Sequence, residues 1–205
     1  MASSQLNYTI CLAGNPNTGK STVFNALTGL NQHTGNWPGK TVEKARGFFK
    51  HGGRDFELVD LPGTYSLLAN SPEEEIARDF LCFRQPHAVV IVVDATCLER
   101  NLNLVLQVLE ITGRAIVCLN LMDEAKRKGL FIDVELLSWE LGVPVVPTAA
   151  NRGEGLNLLK EWIFKIASGQ VEPNPRLMQY PGTMEKSLQE VESALDDLPV
   201  SGLSR

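Results

Sequence analysis

The sequence predicts an α/β fold in which a mostly parallel sheet of six strands is covered by helices. Apolar runs alternate with amphipathic segments along the chain, a pattern typical of parallel strands joined by crossover helices. Residues 89–93 and 115–119 are continuously apolar, as expected of strands that are buried on both faces. Residues 14–21 form a glycine-rich turn between an apolar run and the start of an amphipathic segment. Together these features indicate one α/β domain.

The strands are expected at residues 8–13, 44–51, 55–60, 88–94, 114–120 and 143–147. The second and third are separated by His51-Gly52-Gly53-Arg54, which predicts a tight turn, so these two strands should run antiparallel as an edge hairpin. Residues 30–43 have no periodicity and are rich in turn formers, which predicts a long functional or mobile loop.

Helices are expected at residues 20–28, 72–83, 100–112, 133–141 and 155–167. The second of these has the clearest start, because Ser71 is a good N-cap, Pro72 suits the first turn, and residues 73–75 are all glutamate. We expect residues 1–169 to form the α/β domain, and residues 170–205 to form a proline-containing linker and the first helix of a truncated helical domain. Residues 181–198 have helical spacing, with an apolar face that would need a partner. That face carries Met184, Leu188, Val191 and Leu195.

Composition and charge exclude several classes of protein. The net charge is −5, the basic residues are scattered, and the run at 126–128 is too short for a groove, so no nucleic-acid partner is expected. The four cysteines are isolated from one another and from the three histidines, which favours free thiols in a reducing compartment over a zinc site. No apolar stretch is long enough to span a bilayer and no signal peptide is recognisable, so this piece should be soluble.

The strongest motif is Gly14-Asn15-Pro16-Asn17-Thr18-Gly19-Lys20-Ser21, which matches the phosphate-binding loop GxxxxGK[ST] and has the required strand before it and helix after it. The backbone N–H groups of such a loop turn inward around phosphate oxygens, and the helix N-terminus adds partial positive charge. Lys20 is expected to reach the outer phosphates and Ser21 to bind Mg²⁺, with Thr22 beside the nucleotide.

Three further motifs follow predicted strands. In Asp60-Leu61-Pro62-Gly63, the carboxylate can hold a Mg²⁺-bound water and the Gly63 N–H can meet a γ-phosphate. In Asn120-Leu121-Met122-Asp123, Asn120 and Asp123 are expected to select guanine, with Leu121 and Met122 also at the nucleotide. The Asp123 carboxylate can accept hydrogen bonds from the N1–H and 2-amino groups of guanine, which adenine lacks. Thr148-Ala149-Ala150 can supply a backbone N–H for guanine O6, expected from Ala150. Each motif alone could be an ordinary strand-end turn, but their order after a phosphate loop favours a guanine nucleotide, GTP or GDP.

The segment Gly39-Lys40-Thr41-Val42-Glu43 lies in the predicted long loop and is expected to contribute to nucleotide binding. The hydroxyl and backbone N–H of Thr41 could complete the Mg²⁺ shell only when a γ-phosphate is present, which would order the loop with triphosphate and release it after hydrolysis.

These motifs, in this order, resemble the translation-factor-related small GTPases over about residues 7–168, which implies a Ras-like G domain of the P-loop NTPase class. Residues 14–21, 35–43 and 60–67 are similar to the cytosolic G domain of FeoB-type bacterial ferrous iron transporters, and the Asn-Trp-x-Gly-x-Thr-Val-Glu pattern at 36–43 is the most specific. The segment Gln179-Tyr180-Pro181 is similar to the start of that family's helical domain, which slows nucleotide release. The resemblance implies a Mg²⁺-dependent GTPase that regulates or drives iron uptake by a membrane domain absent from this chain. It also implies a place on the cytoplasmic side of the bacterial inner membrane and a small cytosolic accessory protein as partner.

The resemblance assigns Asn17, Lys20, Thr41 and Gly63 to catalysis, with Asn17 binding K⁺ near the phosphates, where positive charge stabilises the transition state. Thr64 stands where Ras-like enzymes carry a water-orienting glutamine, so hydrolysis should be slow and should rely on backbone groups. Leu121 replaces the lysine of the NKxD pattern, which implies modest nucleotide affinity, and Lys40 replaces an apolar residue common in the family.

Two alternatives stay open. A GTPase of ribosome assembly or tRNA modification would share these motifs but should carry a basic RNA-binding appendage, and RNA-stimulated turnover would support it. A binding switch with negligible hydrolysis would show GTP affinity without phosphate release. No residue pattern in the chain indicates iron binding, so the iron assignment depends on the resemblance alone, and the oligomeric state is not determined by the sequence.

Overall fold

The computed structural model describes residues 8–30, 32–177 and 182–196 of the 205-residue chain. The strands are β1 (Tyr8–Gly14), β2 (Gln32–Asn36), β3 (Glu43–His51), β4 (Arg54–Asp60), β5 (Ala88–Asp94), β6 (Ala115–Asn120) and β7 (Val145–Pro147). They form one sheet with the order β2-β3-β4-β1-β5-β6-β7. The pairs β4–β1, β1–β5, β5–β6 and β6–β7 are parallel, and the pairs β2–β3 and β3–β4 are antiparallel. The predicted α/β fold is therefore confirmed, with seven strands instead of six.

The additional strand, β2, corrects the prediction of a structureless loop at residues 30–43. It pairs with β3 from Gln32↔Gly47 to Asn36↔Glu43. The chain then turns at Trp37-Pro38-Gly39-Lys40, where the Lys40 N–H donates to the Trp37 carbonyl at 3.0 Å and Gly39 has a φ of 70°. Proline and then a left-handed glycine at the two central positions are typical of a type II turn. The strand was missed because its residues are polar or glycine, so backbone pairing at the sheet edge defines it and apolar alternation does not.

The predicted hairpin between β3 and β4 is confirmed. Gly52 and Gly53 have φ values of 55° and 71°, which fit the two left-handed positions of a type I′ turn. The hairpin places β4 beside β1, so that Asp60 lies opposite Leu12 at the carboxyl end of the parallel strands.

The helices are α1 (Lys20–Thr28), α2 (Pro72–Arg84), α3 (Leu98–Ile111), α4 (Met122–Arg127), α5 (Val134–Leu141), α6 (Leu156–Ala167) and α7 (Gly182–Asp196). The predicted cap of α2 is confirmed, because the Ser71 hydroxyl accepts a hydrogen bond from the Glu74 N–H at 3.2 Å. The six-residue helix α4 was not predicted. Apolar residues of α1 and α6 pack on one face of the sheet, and those of α2, α3 and α5 pack on the other, which buries β5 and β6 completely except for the end of β5.

The segment after α6 is packed against α5. The Arg176 N–H donates to the Leu141 carbonyl at 3.1 Å, and the Arg176 guanidinium lies 3.6 Å from the centre of the Trp139 ring. A Cβ atom on Gly142, whose φ is 70°, would lie 2.1 Å from the Asn174 carbonyl oxygen. This proline-containing segment is therefore fixed to the α/β domain up to Arg176.

The predicted C-terminal helix is present as α7, and Met184, Leu188 and Val191 are exposed along it. The segment Gln179-Tyr180-Pro181 and the side chain of Leu195 lie outside the described residues. Within the ranges that the structure describes, no helix has the length and apolarity needed to cross a membrane.

Candidate functional site

The phosphate loop joins β1 to α1 through two residues in the left-handed region, Asn17 with a φ of 66° and Gly19 with a φ of 79°. The Thr18 hydroxyl donates to the Asn15 carbonyl at 2.9 Å and tightens the loop. A Cβ atom on Gly19 would lie 2.5 Å from Asn120 Nδ2, so this position needs glycine for both its backbone conformation and its space. The Asn15 side chain is buried without a hydrogen-bond partner, and Asn17 is exposed.

The N-terminus of α1 is suited to an anion. Its N-cap is Gly19, which has no side chain to accept from the first N–H groups, and the first turn contains no acidic residue. These donors and the positive end of the helix dipole favour a phosphate group at this point. Ser21 and Thr22 are exposed on the first turn, as their predicted roles require.

Lys20 lies between the phosphate loop and the end of β4. Its Nζ forms an ion pair with Asp60 and donates to the Leu61 carbonyl at 2.7 Å. Burial raises the pKa of Asp60, and the charge and hydrogen bond of Lys20 oppose that rise. The next residues stay close to the phosphate loop, because the Thr64 N–H donates to the Gly14 carbonyl at 3.2 Å. The structure therefore brings Lys20 and Asp60, predicted to bind phosphate and Mg²⁺, into direct contact.

The predicted Mg²⁺ ligands are all hard oxygen donors, namely the hydroxyls of Ser21 and Thr41 and the carboxylate of Asp60. This donor set fits Mg²⁺, which prefers oxygen ligands and one or two carboxylates together with substrate phosphates. Asp60 is the ion-pair partner of Lys20, and Ser21 follows Lys20 directly in the chain, so both lie beside the phosphate loop.

Thr41 is exposed at the tip of the β2–β3 hairpin, and within the described residues its side chain makes no hydrogen bond to the phosphate loop. The tip is held on α2. Trp37 is buried edge-on against Phe80, with ring centres 5.6 Å apart, and Lys40 Nζ lies 2.7 Å from Glu75 Oε2. The structure thus unites the phosphate loop with Asp60, but leaves Thr41 on a separately anchored hairpin.

Asn120 is buried at the end of β6 and connects two loops. Its Nδ2 donates to the Thr18 carbonyl at 3.0 Å, and its Oδ1 accepts from the Thr148 hydroxyl at 3.2 Å and from the Ala150 N–H at 3.1 Å. Asn120 was predicted to select guanine. In this structure its Oδ1 and one of its two Nδ2 N–H donors bind the protein, so Asn120 also acts as a clamp between the phosphate loop and the loop after β7. The Ala150 N–H, predicted to donate to guanine O6, donates to Asn120 in this structure.

Asp123 lies in the first turn of α4, after Leu121, which has a left-handed φ of 61°. Its Oδ2 accepts from Asn151 Nδ2 at 3.3 Å and lies 3.2 Å from Arg152 Nε. Its Oδ1 is buried and has no hydrogen-bond partner. Desolvation disfavours the charged form, but the Asn151 hydrogen bond, the Glu124 backbone N–H and the Arg152 charge together hold the pKa of Asp123 below its usual value. Asp123 is therefore an ionised carboxylate whose Oδ1 can still accept hydrogen bonds.

Asn151 and Arg152 are site residues that the sequence reasoning missed. They follow Ala150 in a single 3-10 turn, Ala150–Arg152, and both reach the same carboxylate oxygen. The signal in the sequence was an amide side chain and a guanidinium directly after the Thr148-Ala149-Ala150 segment, which was itself predicted to lie beside the guanine base.

Comparisons with known proteins match most of this chain. The family profile of ferrous iron transport protein B matches residues 8–163. The Fe(2+) transporter FeoB of Salmonella typhimurium is 48% identical over 176 residues, which are 84% of this chain and 22% of that protein. An Fe(2+) transport protein A/Fe(2+) transporter FeoB fusion protein of Porphyromonas gingivalis is 44% identical over 162 residues, 78% of this chain and 19% of that protein. The chain thus spans about a fifth of the length of these relatives.

A solved structure extends the match to the fold. The cytosolic domain of the T. maritima FeoB iron transporter in GDP form I superposes with a TM-score of 0.91 and 41% identity, covering 97% of this chain and 77% of that chain. The predicted P-loop NTPase fold of the G-domain type is confirmed by this match.

Proposed function

The chain belongs to the family of ferrous iron transport protein B, as its motifs indicated, and we propose that it binds GTP with Mg²⁺ and hydrolyses it to GDP and phosphate. The observation that carries the proposal is the Asn120 clamp. It fixes the phosphate loop through the Thr18 carbonyl and the base-side loop through Ala150, so the two ends of a nucleotide site form one unit. The GDP form of the T. maritima relative supports the same ligand class.

At the phosphate end, Lys20 exchanges its present partner for phosphate oxygens. The α1 N-terminus and the loop amides hold the remaining negative charge, because they are donors without an intrahelical acceptor. Asp60, Ser21 and Thr41 would hold Mg²⁺ when it is bound. The ion would supply positive charge against the phosphates of the nucleotide.

Hydrolysis relies on backbone groups near Gly63. A Cβ atom on Gly63 would lie 3.4 Å from Pro16, so the backbone of this residue is packed against the phosphate loop, where its N–H would meet a γ-phosphate. Thr64 is buried, which leaves its side chain unsuited to orient a water molecule from solvent. The attacking water is therefore positioned by main-chain groups of the Asp60 segment and the hairpin tip, and turnover is slow.

K⁺ is proposed as a second cation, held by Asn17. This residue is exposed on the phosphate loop, in a left-handed conformation that asparagine tolerates better than most residues. Positive charge there would stabilise the transition state without a partner protein. GTP turnover that is equal in K⁺ and Na⁺ and unchanged in Asn17→Ala would contradict this assignment.

At the base end, Asp123 reads guanine, with Leu121, Met122 and the Thr148–Ala150 segment forming the walls. The Ala150 N–H can donate to guanine O6 only if it leaves Asn120 Oδ1 or forms a bifurcated hydrogen bond to both oxygens. The unpartnered Oδ1 of Asp123 supports guanine over adenine, since adenine has an acceptor lone pair at N1 and only a C–H at C2, where guanine has its two donors.

We further propose that nucleotide turnover regulates or drives ferrous iron uptake by a membrane domain of the same protein, on the cytoplasmic side of the bacterial inner membrane. In this arrangement residues 1–169 are the GTP-binding domain, and residues 170–205 lead into a helical domain that controls nucleotide release. The Porphyromonas gingivalis relative carries an Fe(2+) transport protein A in the same chain, which supports a small accessory protein as partner.

The test is a single-turnover measurement of phosphate release from GTP with Mg²⁺. We expect GDP and phosphate as products, loss of turnover in Lys20→Ala, and no change in Lys50→Ala, which removes an exposed lysine paired with Asp55 outside the site. GTP binding without phosphate release would support the binding-switch alternative. Stimulation by RNA would instead support the ribosome-assembly or tRNA-modification alternative.

A further inference from the structure

Arg152 forms an ion pair with Asp123, the carboxylate proposed to read the base, and lies on its solvent side. Its Nε lies 3.2 Å from Asp123 Oδ2, and its own side chain is 61% exposed, whereas that of Asp123 is 10% exposed. Asn151 adds a hydrogen bond to the same oxygen at 3.3 Å. The carboxylate is thus fixed on one oxygen by the base-side loop.

This arrangement leaves acceptor capacity for a ligand. An ionised carboxylate offers about four lone-pair sites on its two oxygens. Arg152 and Asn151 use sites on Oδ2, while Oδ1 is buried and unpartnered. Guanine presents its N1–H and 2-amino donors side by side. When both are read, one donor meets Oδ1 and the other shares Oδ2 with Arg152 and Asn151, which requires the carboxylate to lie in the plane of the base.

A free aspartate side chain would have to be ordered when the nucleotide binds, which lowers affinity. A side chain whose rotamer is already fixed by neighbouring hydrogen bonds avoids that cost and keeps its direction. Asp123 begins α4 after a left-handed residue, and its direction is set by the 3-10 turn Ala150–Arg152 on the opposite loop.

We propose that Arg152 is a positioning residue for guanine recognition, orienting Asp123 so that it engages the 2-amino group of the base as well as N1–H. The inference rests on the proposed binding of guanine nucleotides by this site. It assigns to Arg152 part of the discrimination between guanine and hypoxanthine, because these two bases share the N1–H and O6 groups and differ only by the 2-amino group.

Arg127 provides a matched control. It lies on α4 itself, is 72% exposed, and approaches Glu124 Oε1 at 3.6 Å. Removing Arg127 takes away the same charge from the same region without touching the carboxylate of Asp123.

The experiment measures the affinity of the full chain for GDP, IDP and ADP, using wild type, Arg152→Ala, Arg152→Lys and Arg127→Ala. Exposed ion pairs change an equilibrium by about 1.4- to 5-fold. We expect Arg152→Ala to weaken GDP binding by about 3- to 5-fold and IDP binding by less than about 2-fold, so that the GDP preference over IDP narrows. Arg152→Lys should restore most of that preference, and Arg127→Ala should leave it unchanged.

An Arg152→Ala variant that weakens GDP and IDP equally would overturn the inference, since the residue would then supply only general charge. An equal effect of Arg127→Ala would overturn it for the same reason. Failure of the wild-type chain to bind GDP would contradict the proposed function itself, whereas GDP binding with an unchanged GDP/IDP ratio in Arg152→Ala would contradict this inference alone.

Discussion

Replacing Asn120 with alanine removes the side chain that ties the phosphate loop to the loop after β7. The change deletes three hydrogen bonds, which join Asn120 to the Thr18 carbonyl, the Thr148 hydroxyl and the Ala150 N–H. Asn120 is only 1% exposed, so water does not readily replace these partners.

A typical buried hydrogen bond contributes about 1 kcal/mol to stability, and leaving its partner unsatisfied costs at least as much. We therefore expect Asn120→Ala to lower the free energy of unfolding by about 3 kcal/mol. For a chain of this size, that change lowers the melting temperature by about 6–12 °C. Because the two loops then move independently, GDP affinity should also fall by about 10-fold or more, which corresponds to about 1.4 kcal/mol.

The assay is urea unfolding without nucleotide, followed by titration with GDP. Asn103→Ala is the control, since Asn103 is exposed and makes one 3.3 Å hydrogen bond to the Tyr65 carbonyl. This control should change the free energy of unfolding by less than about 0.5 kcal/mol. An Asn120→Ala variant as stable as Asn103→Ala would show that the Asn120 side chain is not what joins the two loops.

Three further predictions concern stability. Gly142→Ala should lower the free energy of unfolding by about 2 kcal/mol or more, because the residue has a left-handed φ and its Cβ would clash with the Asn174 carbonyl oxygen. Gly29 is also left-handed but has open space around it, so Gly29→Ala should lower the same free energy by only about 1 kcal/mol. Burial raises the pKa of Asp60, so in the wild type this group stabilises the fold less as pH rises from about 4 through its raised pKa. The free energy of unfolding of Asp60→Asn should therefore increase relative to that of the wild type over this pH range. A difference in unfolding free energy that does not change with pH would contradict the raised pKa. Lys40→Met and Glu75→Gln should each lower the free energy of unfolding by less than about 1 kcal/mol. If the double variant lowered it by the full sum of the two single effects, the Lys40–Glu75 ion pair would not be coupled.

The central elements of the fold were predictable because their sequences carry strong hydrophobic signals. β5 and β6 are continuous apolar runs buried on both faces, and the bounds of α1 and α6 follow from the phosphate-loop turn and an apolar stripe. β2 was not predictable in this way, since an exposed edge strand of polar residues is defined by pairing with β3. The short helix α4 was missed because six residues are too few to show a helical period.

The phosphate side of the site was also predictable, because a loop built from backbone amides requires glycine and lysine at fixed spacing. The base side was less so. Asn120 was expected to select guanine, and no sequence pattern indicated that its amide also joins two loops that are 102 and 30 residues away along the chain. Such a role depends on tertiary contact, which spacing does not encode. The same holds for Arg152, whose partner Asp123 lies in the first turn of α4.

Calorimetric titration of the chain with GDP and with ADP, both in the presence of Mg²⁺, measures whether the site selects guanine. A site in which Asp123 reads the base should bind GDP about 100-fold or more tightly than ADP, since adenine would leave the carboxylate without a donor. Asp123→Ala should bring the two affinities close together. Equal affinities in the wild type, or no binding of either nucleotide, would contradict the claim that this chain is a guanine-nucleotide domain.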